Sequence, residues 1–256
     1  MSIKTTYSGY IQNPGILKGA SVNSQMKLII DDYKSRFDNI IVKSAGNFLY
    51  YLYIDGKKYY AHILVPSEKT DNVYYDIIIE FTTDKNIISK NNLDLANVKF
   101  FSNDPAFIYT YAYAFKHNDL TIDWLEKKMN KKALTDKPVV RNPNAQTGYI
   151  KSLYFAYFFI KMKHLFSIDP MWKNAAKLNK SELLKKIPTS EEVLNNISRQ
   201  KEILRELKKE KLRKSIVNLK ANRDTSLDVR SVKSAKTVKT ARMSHMVKQT
   251  SLLKRK

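Results

Sequence analysis

The sequence predicts an α+β domain, an antiparallel sheet of hairpin or meander type packed with helices, continued by a charged helix and a basic C-terminal arm. Three observations carry that prediction. All of the aromatic residues (16 Tyr, 11 Phe and 2 Trp) lie at or before Trp172, so a large core can form only in that part of the chain. Two runs rich in Tyr, Leu and Ile flank Asp55-Gly56 and a third follows, the pattern of strands joined by tight turns. Elsewhere, apolar residues recur at helical rather than strand spacing.

Residues 1–23 hold Gly9, Pro14, Gly15 and Gly19 and read as an irregular N-terminal arm. From Ser24, taken as an N-cap, Met26, Ile29, Ile30, Tyr33 and Phe37 fall at helical spacing to about Asp38. The hairpin runs from Asn47 to Pro66, its Asp55-Gly56 pair suited to a type I′ turn. Val73 to Thr82 is the third strand. Its Ile77–Ile79 centre does not alternate, so both faces are expected to be covered. Phe107 to Phe115 puts a large aromatic on every odd position, which is a strand period, although the preceding Asp104-Pro105 is also a helix-start pair. A strand is the expectation. Thr121 to Lys131 reads as a short helix with Ile122, Leu125 and Met129 on one face, and Lys132 to Gly148 as a polar loop.

Tyr149 to Leu165 is apolar nearly all round, as in a helix buried inside a domain, and Asp169-Pro170 ends it. Asn179 to Ile187 forms a short basic helix stopped by Pro188. Thr189 with Glu192 then has the capping-box spacing that opens a further helix through Leu219. The globular domain is thus expected over 24–172, a charged helical extension over 173–219 and the tail over 220–256. Within the extension, Val193, Ile197, Leu204 and Leu207 give a short heptad stripe with Gln200 in the seam. Lys211 and Lys214 interrupt it before Leu212, Ile216 and Leu219, so a long coiled coil is not expected. A short self-association or docking stripe over 193–219 is. After Lys220 the mixture of Lys, Arg, Ser, Thr and Val has no period and no core-forming residues, the composition of a segment disordered when unbound.

The charge is as uneven as the aromatics. From Arg199 to Lys256 there are 19 Lys/Arg against 5 Asp/Glu, a net +14 out of +22, which leaves +8 for residues 1–198. A cationic segment of this kind attracts phosphate backbones, DNA or RNA, or acidic protein surfaces. Displacing condensed counterions makes nucleic acid the favoured partner. The chain has no cysteine, which excludes disulfides, zinc–thiolate sites and thiol catalysis. Met1 to Tyr10 lacks the apolar stretch of a signal peptide, and the longest uncharged part of the 149–165 helix, Ser152 to Ile160, is far short of the roughly 20 residues a bilayer requires. The reading is of a protein with no membrane span, not secreted by a signal peptide.

Signatures of catalysis are sparse. His62, His117, His164 and His245 are far apart, no phosphate-cradling glycine motif is present, and neither a metal nor a cofactor is implied. Asp76 and Glu80 share a strand face at i,i+4 and, with Glu126-Lys127-Lys128, are the only material for a metal-dependent nuclease. Glu80 lacks the acid-x-Lys continuation such a site uses, and an edge-facing charge pair is the simpler reading. Tyr50, Tyr51, Tyr53, Tyr59 and Tyr60, beside Lys57 and Lys58, could stack unpaired bases on an exposed sheet face or pack against one another across strands.

Ser102-Asn103-Asp104-Pro105-Ala106-Phe107, Thr110-Tyr111-Ala112, Arg141-Asn142-Pro143 and Lys151-Ser152-Leu153-Tyr154-Phe155 resemble segments of bacteriophage and mobile-element proteins of low-GC hosts, over about residues 40–165. That resemblance implies a phage or mobile-element origin, with a virion or DNA-associated role in the virion or host cytoplasm. It assigns no activity and no functional residue. The expectation is a non-enzymatic protein that binds nucleic acid with little sequence preference, through Arg213, Lys214, Lys220, Arg223, Arg230, Lys233, Lys236, Lys239, Arg242, Lys254, Arg255 and Lys256. The rival class is a structural or assembly protein of the virion whose arm orders along neighbouring subunits.

Overall fold

The computed structural model describes residues 5–12, 22–43, 48–70, 72–148 and 150–215, with side chains in the second stretch described from Ile30 to Val42. The chain divides into two compact units, 1–200 and 201–256. In the first unit the elements in order are α1 (Tyr7–Gln12), α2 (Val22–Lys43), β1 (Tyr50–Asp55), β2 (Lys58–Pro66), β3 (Tyr74–Thr82), α3 (Lys85–Ser89), β4 (Asn97–Ser102), a π-helical turn (Phe107–Tyr111) running into α4 (Ala112–His117), a 3₁₀ segment (Asp123–Lys128), α5 (Lys131–Thr135), α6 (Lys151–Met162), β5 (Ala176–Lys177) and α7 (Lys180–Lys186). Residues 190–200 are also helical. No described helix is long and apolar enough to cross a membrane.

The five strands form one sheet in the order β4-β3-β2-β1-β5. β1 to β4 pair antiparallel, and β5 adds a two-residue parallel pairing to β1. The expected meander is therefore present, with β4 and β5 extending it on either side. Its hairpin turn lies one residue later than expected: Asp55 pairs with Lys58, so Gly56 and Lys57 are the loop. Of these only Gly56 has positive φ, +59°, so the type I′ turn, which requires two such residues, is not formed.

β3 is an interior strand, and Ile77, Ile78 and Ile79 are all fully buried, as their unbroken apolar run predicts. One sheet face packs on α1, α6 and Trp172. The Tyr7 ring meets Phe100 at 5.1 Å and Trp172 meets Tyr59 at 5.3 Å. The other face carries Tyr60, His62, Asp76 and Glu80 and is covered in part by Trp124, whose ring lies 6.2 Å from Tyr60. The expectation of a buried helix at 149–165 holds in α6, where eight of the twelve side chains are buried.

Beside the expected 132–148 loop, which opens on α5 over Lys131–Thr135, three expectations need correction. The N-terminal stretch read as irregular contains α1, whose Tyr7, Tyr10 and Ile11 are part of the core. The helix is fixed by reciprocal hydrogen bonds with α6: Tyr7 Oη donates to Leu153 O at 2.6 Å, and Tyr154 Oη donates to Ile11 O at 3.0 Å. Six residues with Gly9 inside and Pro14 just beyond carry too short a pattern to register as a helix; burial of two tyrosines decides it. Next, α2 begins at Val22, so Ser24 lies inside the helix rather than at its cap, and the helix reaches Lys43 rather than Asp38.

The third correction is Phe107–Phe115, which is helical, not a strand. The Asp104-Pro105 start signal prevails: Asp104 Oδ1 accepts from Ala106 N at 2.9 Å, and Ile108 N donates to Asp104 O at 3.0 Å. The alternation misleads because Ala112 and Ala114 on the even positions are small enough to pack against neighbouring backbone, and all four even positions are buried. Phe107 and Phe115 are buried too, while Tyr109 faces solvent.

Residues 173–200 belong to the first unit, with Leu183, Ile187 and Val193 buried. Asn179 caps α7 by accepting from Glu182 N. The capping box forms as its spacing predicts: Glu192 N donates to Thr189 Oγ1 at 3.2 Å, and Glu192 Oε2 accepts from Thr189 N at 2.6 Å. In the second unit, residues 201–215 are helical and exposed throughout. The tail, with Ile216 and Leu219, lies outside the described residues.

Candidate functional site

Of the residues assigned to nucleic acid, Arg213 and Lys214 are described, both exposed on the 201–215 helix. Lys220, Arg223, Arg230, Lys233, Lys236, Lys239, Arg242, Lys254, Arg255 and Lys256 lie outside the described residues. Along this helix Lys209 pairs with Glu206 and Lys214 with Glu210, each at 2.7 Å and exposed to water. Such pairs are easily exchanged for other partners. Ile203, Leu204, Leu207 and Leu212 are exposed apolar side chains on the same segment. The expected stripe over 193–219 is not one continuous free face, because Val193 is buried in the first unit.

Asp76 and Glu80 are not an edge-facing pair. They project from interior β3 and are nearly inaccessible, at 4 % and 2 %. Asp76 Oδ1 is 2.7 Å from His62 Nε2, and its Oδ2 accepts from Asn103 Nδ2 at 2.9 Å. Asn103 Oδ1 in turn accepts from Asp76 N at 2.8 Å. Glu80 Oε1 accepts from Lys58 Nζ at 2.7 Å. Burial first, and then the Glu80 carboxylate beside it, push the Tyr60 hydroxyl upward. This network ties β2, β3 and the turn after β4 together, with His62 Nδ1 finding no hydrogen-bond partner among the described residues. Sequence spacing could not find it: His62 and Asp76 meet through strand register, and Asn103 comes from a separate turn. Among the described residues no group of three or more His, Asp or Glu is placed to hold a metal.

The five hairpin tyrosines do not make one platform. Register puts Tyr50 and Tyr59 on the core face, against Phe159 and Trp172. Tyr51, Tyr53 and Tyr60 are on the other face, and Tyr60 is fully buried. Cross-strand and core packing is what most of these rings do.

Sequence reading missed a groove of about 300 Å³ between the Phe107–His117 helical stretch and α5. Tyr109 and Tyr113 from successive turns, Ala133 and Pro138 line it, with Lys132 and Lys137 on it as well. Tyr109 is 42 % exposed. The Tyr113 ring is braced by His117, 4.1 Å away between centroids. Asn130 caps α5 through Lys132 N and Ala133 N. The loop behind is strapped down by buried Asn142, whose Nδ2 donates to Thr110 O at 2.9 Å and to Gln146 O at 2.7 Å. Gly148 closes the strap: its φ is +58°, and a Cβ there would lie 2.1 Å from the Tyr111 ring.

The 127–141 segment carries Lys127, Lys128, Lys131, Lys132, Lys137 and Arg141 against one acid, Asp136, and of these Lys132, Lys137 and Asp136 line the groove. None of the six forms an ion pair with another described residue. Several other body cations are paired: Arg36 and Lys151 share Glu68, Lys99 binds Asp119, Lys116 binds Glu126 and Lys180 binds Asp55. Burial acts to raise the Glu68 carboxyl, but hydrogen bonds from Arg36 and Lys151 outweigh it and hold the group below the usual carboxylate range.

No protein-family model, curated protein or solved structure matches this chain.

Proposed function

We propose that this is a non-enzymatic nucleic-acid-binding protein of phage or mobile-element origin, which contacts phosphates through its basic C-terminal segment with little sequence preference. One observation carries the reading: the last 58 residues hold 19 Lys/Arg against 5 Asp/Glu, a net +14. The exposure of every residue from 201 to 215 supports it, since no cation there is spent on burial. Deleting residues 211–256, or changing the Lys and Arg of 220–256 to Gln, abolishes binding to a labelled oligonucleotide at physiological salt. Retained affinity with an unchanged salt dependence sinks the assignment.

A second reading, assembly into a larger particle, draws on a different observation. Leu49, Tyr51 and Tyr74, exposed by 58, 47 and 48 %, share one sheet face at the same end. Exposed apolar surface of this kind suits a protein partner. A discrete oligomer in the absence of nucleic acid favours it. No comparable observation favours a metal-dependent nuclease, since Asp76 and Glu80 are already engaged by His62, Asn103 and Lys58.

A further inference from the structure

We infer that the groove between the Phe107–His117 stretch and α5 holds one unpaired base of a single-stranded nucleic acid, with the adjoining phosphates on Lys132 and Lys137. The inference rests on the nucleic-acid reading above and adds a second, structure-selective contact on the body.

Shape comes first. At about 300 Å³ the groove sits at the small end of ligand sites and suits one flat group rather than a helix of any kind. Its aromatic walls are Tyr109 and Tyr113. Every base offers a π face to such walls only when it is not already stacked in a duplex, so they select single strands and tolerate any sequence.

The charge agrees. Lys127 to Arg141 carries six cations and one acid, and Lys132 and Lys137, which line the groove, form no ion pair with a described carboxylate. Asp136, also at the groove, accepts from Thr135 Oγ1 at 2.8 Å. It repels phosphate and can accept from a base N–H, ring or exocyclic, which places the base, not the backbone, on its side.

The backbone supplies a third argument. The π-helical turn at Phe107–Tyr111 inserts one residue into the helix, and Tyr109 is turned outward while its neighbours Ile108 and Thr110 stay buried. Such insertions cost helix geometry and recur at functional sites. Here Asn142 and Gly148 hold the insertion in place. A stretch that only had to fill the core would have no use for an exposed Tyr109 beside a Tyr113 braced by His117, above Lys132 and Lys137.

The test measures binding of the full chain to a labelled oligothymidylate and to a duplex of the same length. Y109A with Y113A lowers single-strand affinity roughly tenfold or more, leaves duplex affinity alone and leaves the salt slope unchanged, because no charge is lost. K132Q with K137Q reduces the single-strand slope by about 1.4, near 0.7 for each phosphate contact. Undiminished single-strand binding by the tyrosine variant, or equal losses for both probes, overturns the inference. So does a change in self-association in place of binding, which would make the groove a protein contact. Should the double variant fail to fold, Y109A alone, which removes an exposed ring, and photocrosslinking of the unaltered chain to 5-iodouracil-substituted oligothymidylate take its place. An adduct within residues 107–138 is expected, and its absence is decisive against the site. Failure of the unaltered chain to bind either probe removes the nucleic-acid reading and the groove's role together. Binding that responds to the arm but not to the tyrosines removes the groove alone.

Discussion

The two units carry positive charge differently. In the body several cations are held by carboxylates fixed to the fold: Arg36 and Lys151 flank Glu68, Lys58 meets Glu80, Lys99 meets Asp119 and Lys180 meets Asp55. Beyond residue 198 the chain has no aromatic residue to build a core and a net +14 with few acids to answer it. A fixed backbone can place a carboxylate beside each cation, and the pair becomes part of the fold. A segment without a core cannot do this cheaply, because ordering long side chains costs more than exposed pairs return. Residues 127–141 concentrate tail-like charge within the body, six Lys/Arg against one Asp.

The comparison can be broken most directly at Asp76. Replacing it with Ala leaves His62 Nε2 buried without its carboxylate and Asn103 Nδ2 with only the 3.4 Å bond to Pro188 O. The body is expected to lose about 3 kcal/mol in thermal or denaturant unfolding. A loss below 1 kcal/mol would mean that body pairs are as dispensable as exposed ones.

Glu68→Gln probes a paired site nearer the surface, with an expected loss of about 1–2 kcal/mol at neutral pH. The sign follows from the lowered carboxyl. Its stabilisation is complete above the ordinary Glu value of 4.5 and fades as pH falls through the lower folded value, so wild type and variant converge in acid. A difference that does not depend on pH contradicts this account.

Asp104 runs the other way. Burial, the largest cause, raises its carboxyl despite help from the Ala106 amide. Ionisation therefore costs the folded state, and stability present at low pH is lost as pH rises through the folded value. Asp104→Asn keeps the cap and is expected to gain about 1 kcal/mol at neutral pH and nothing in acid. The smallest effect belongs to the second unit: Glu210→Ala, which frees Lys214, moves stability by less than about 0.5 kcal/mol.

What could be read in the sequence follows the same division. The three central strands were legible because Asp55-Gly56 and the apolar runs on either side are local signals, and α6 because it is apolar all round. The two flanking strands were not. β4 is six residues with Lys99 and Asn97 breaking its pattern, and the two residues of β5 become a strand only by lying beside β1. Phe107–Phe115 failed because its period-2 aromatics competed with a two-residue start signal, and the start signal fixed the backbone. For the sites, the arm's charge is a property of composition and could be counted. The groove needs Tyr109, Lys132 and Pro138 brought together from three segments, and nothing local announces that.

The central claim, that unanswered charge and not total charge binds nucleic acid, is best tested by one salt series on oligonucleotide binding. Two full-length variants are compared with the unaltered chain. In one, the Lys and Arg of 220–256 become Gln; in the other, the ion-paired Lys99, Lys116 and Lys180 do. The account predicts that the first loses several units of salt slope, at about 0.7–0.9 per phosphate contact, and that the second keeps the slope of the unaltered chain. Equal slopes in the arm variant and the unaltered chain, or an equal loss per charge in both variants, would contradict it.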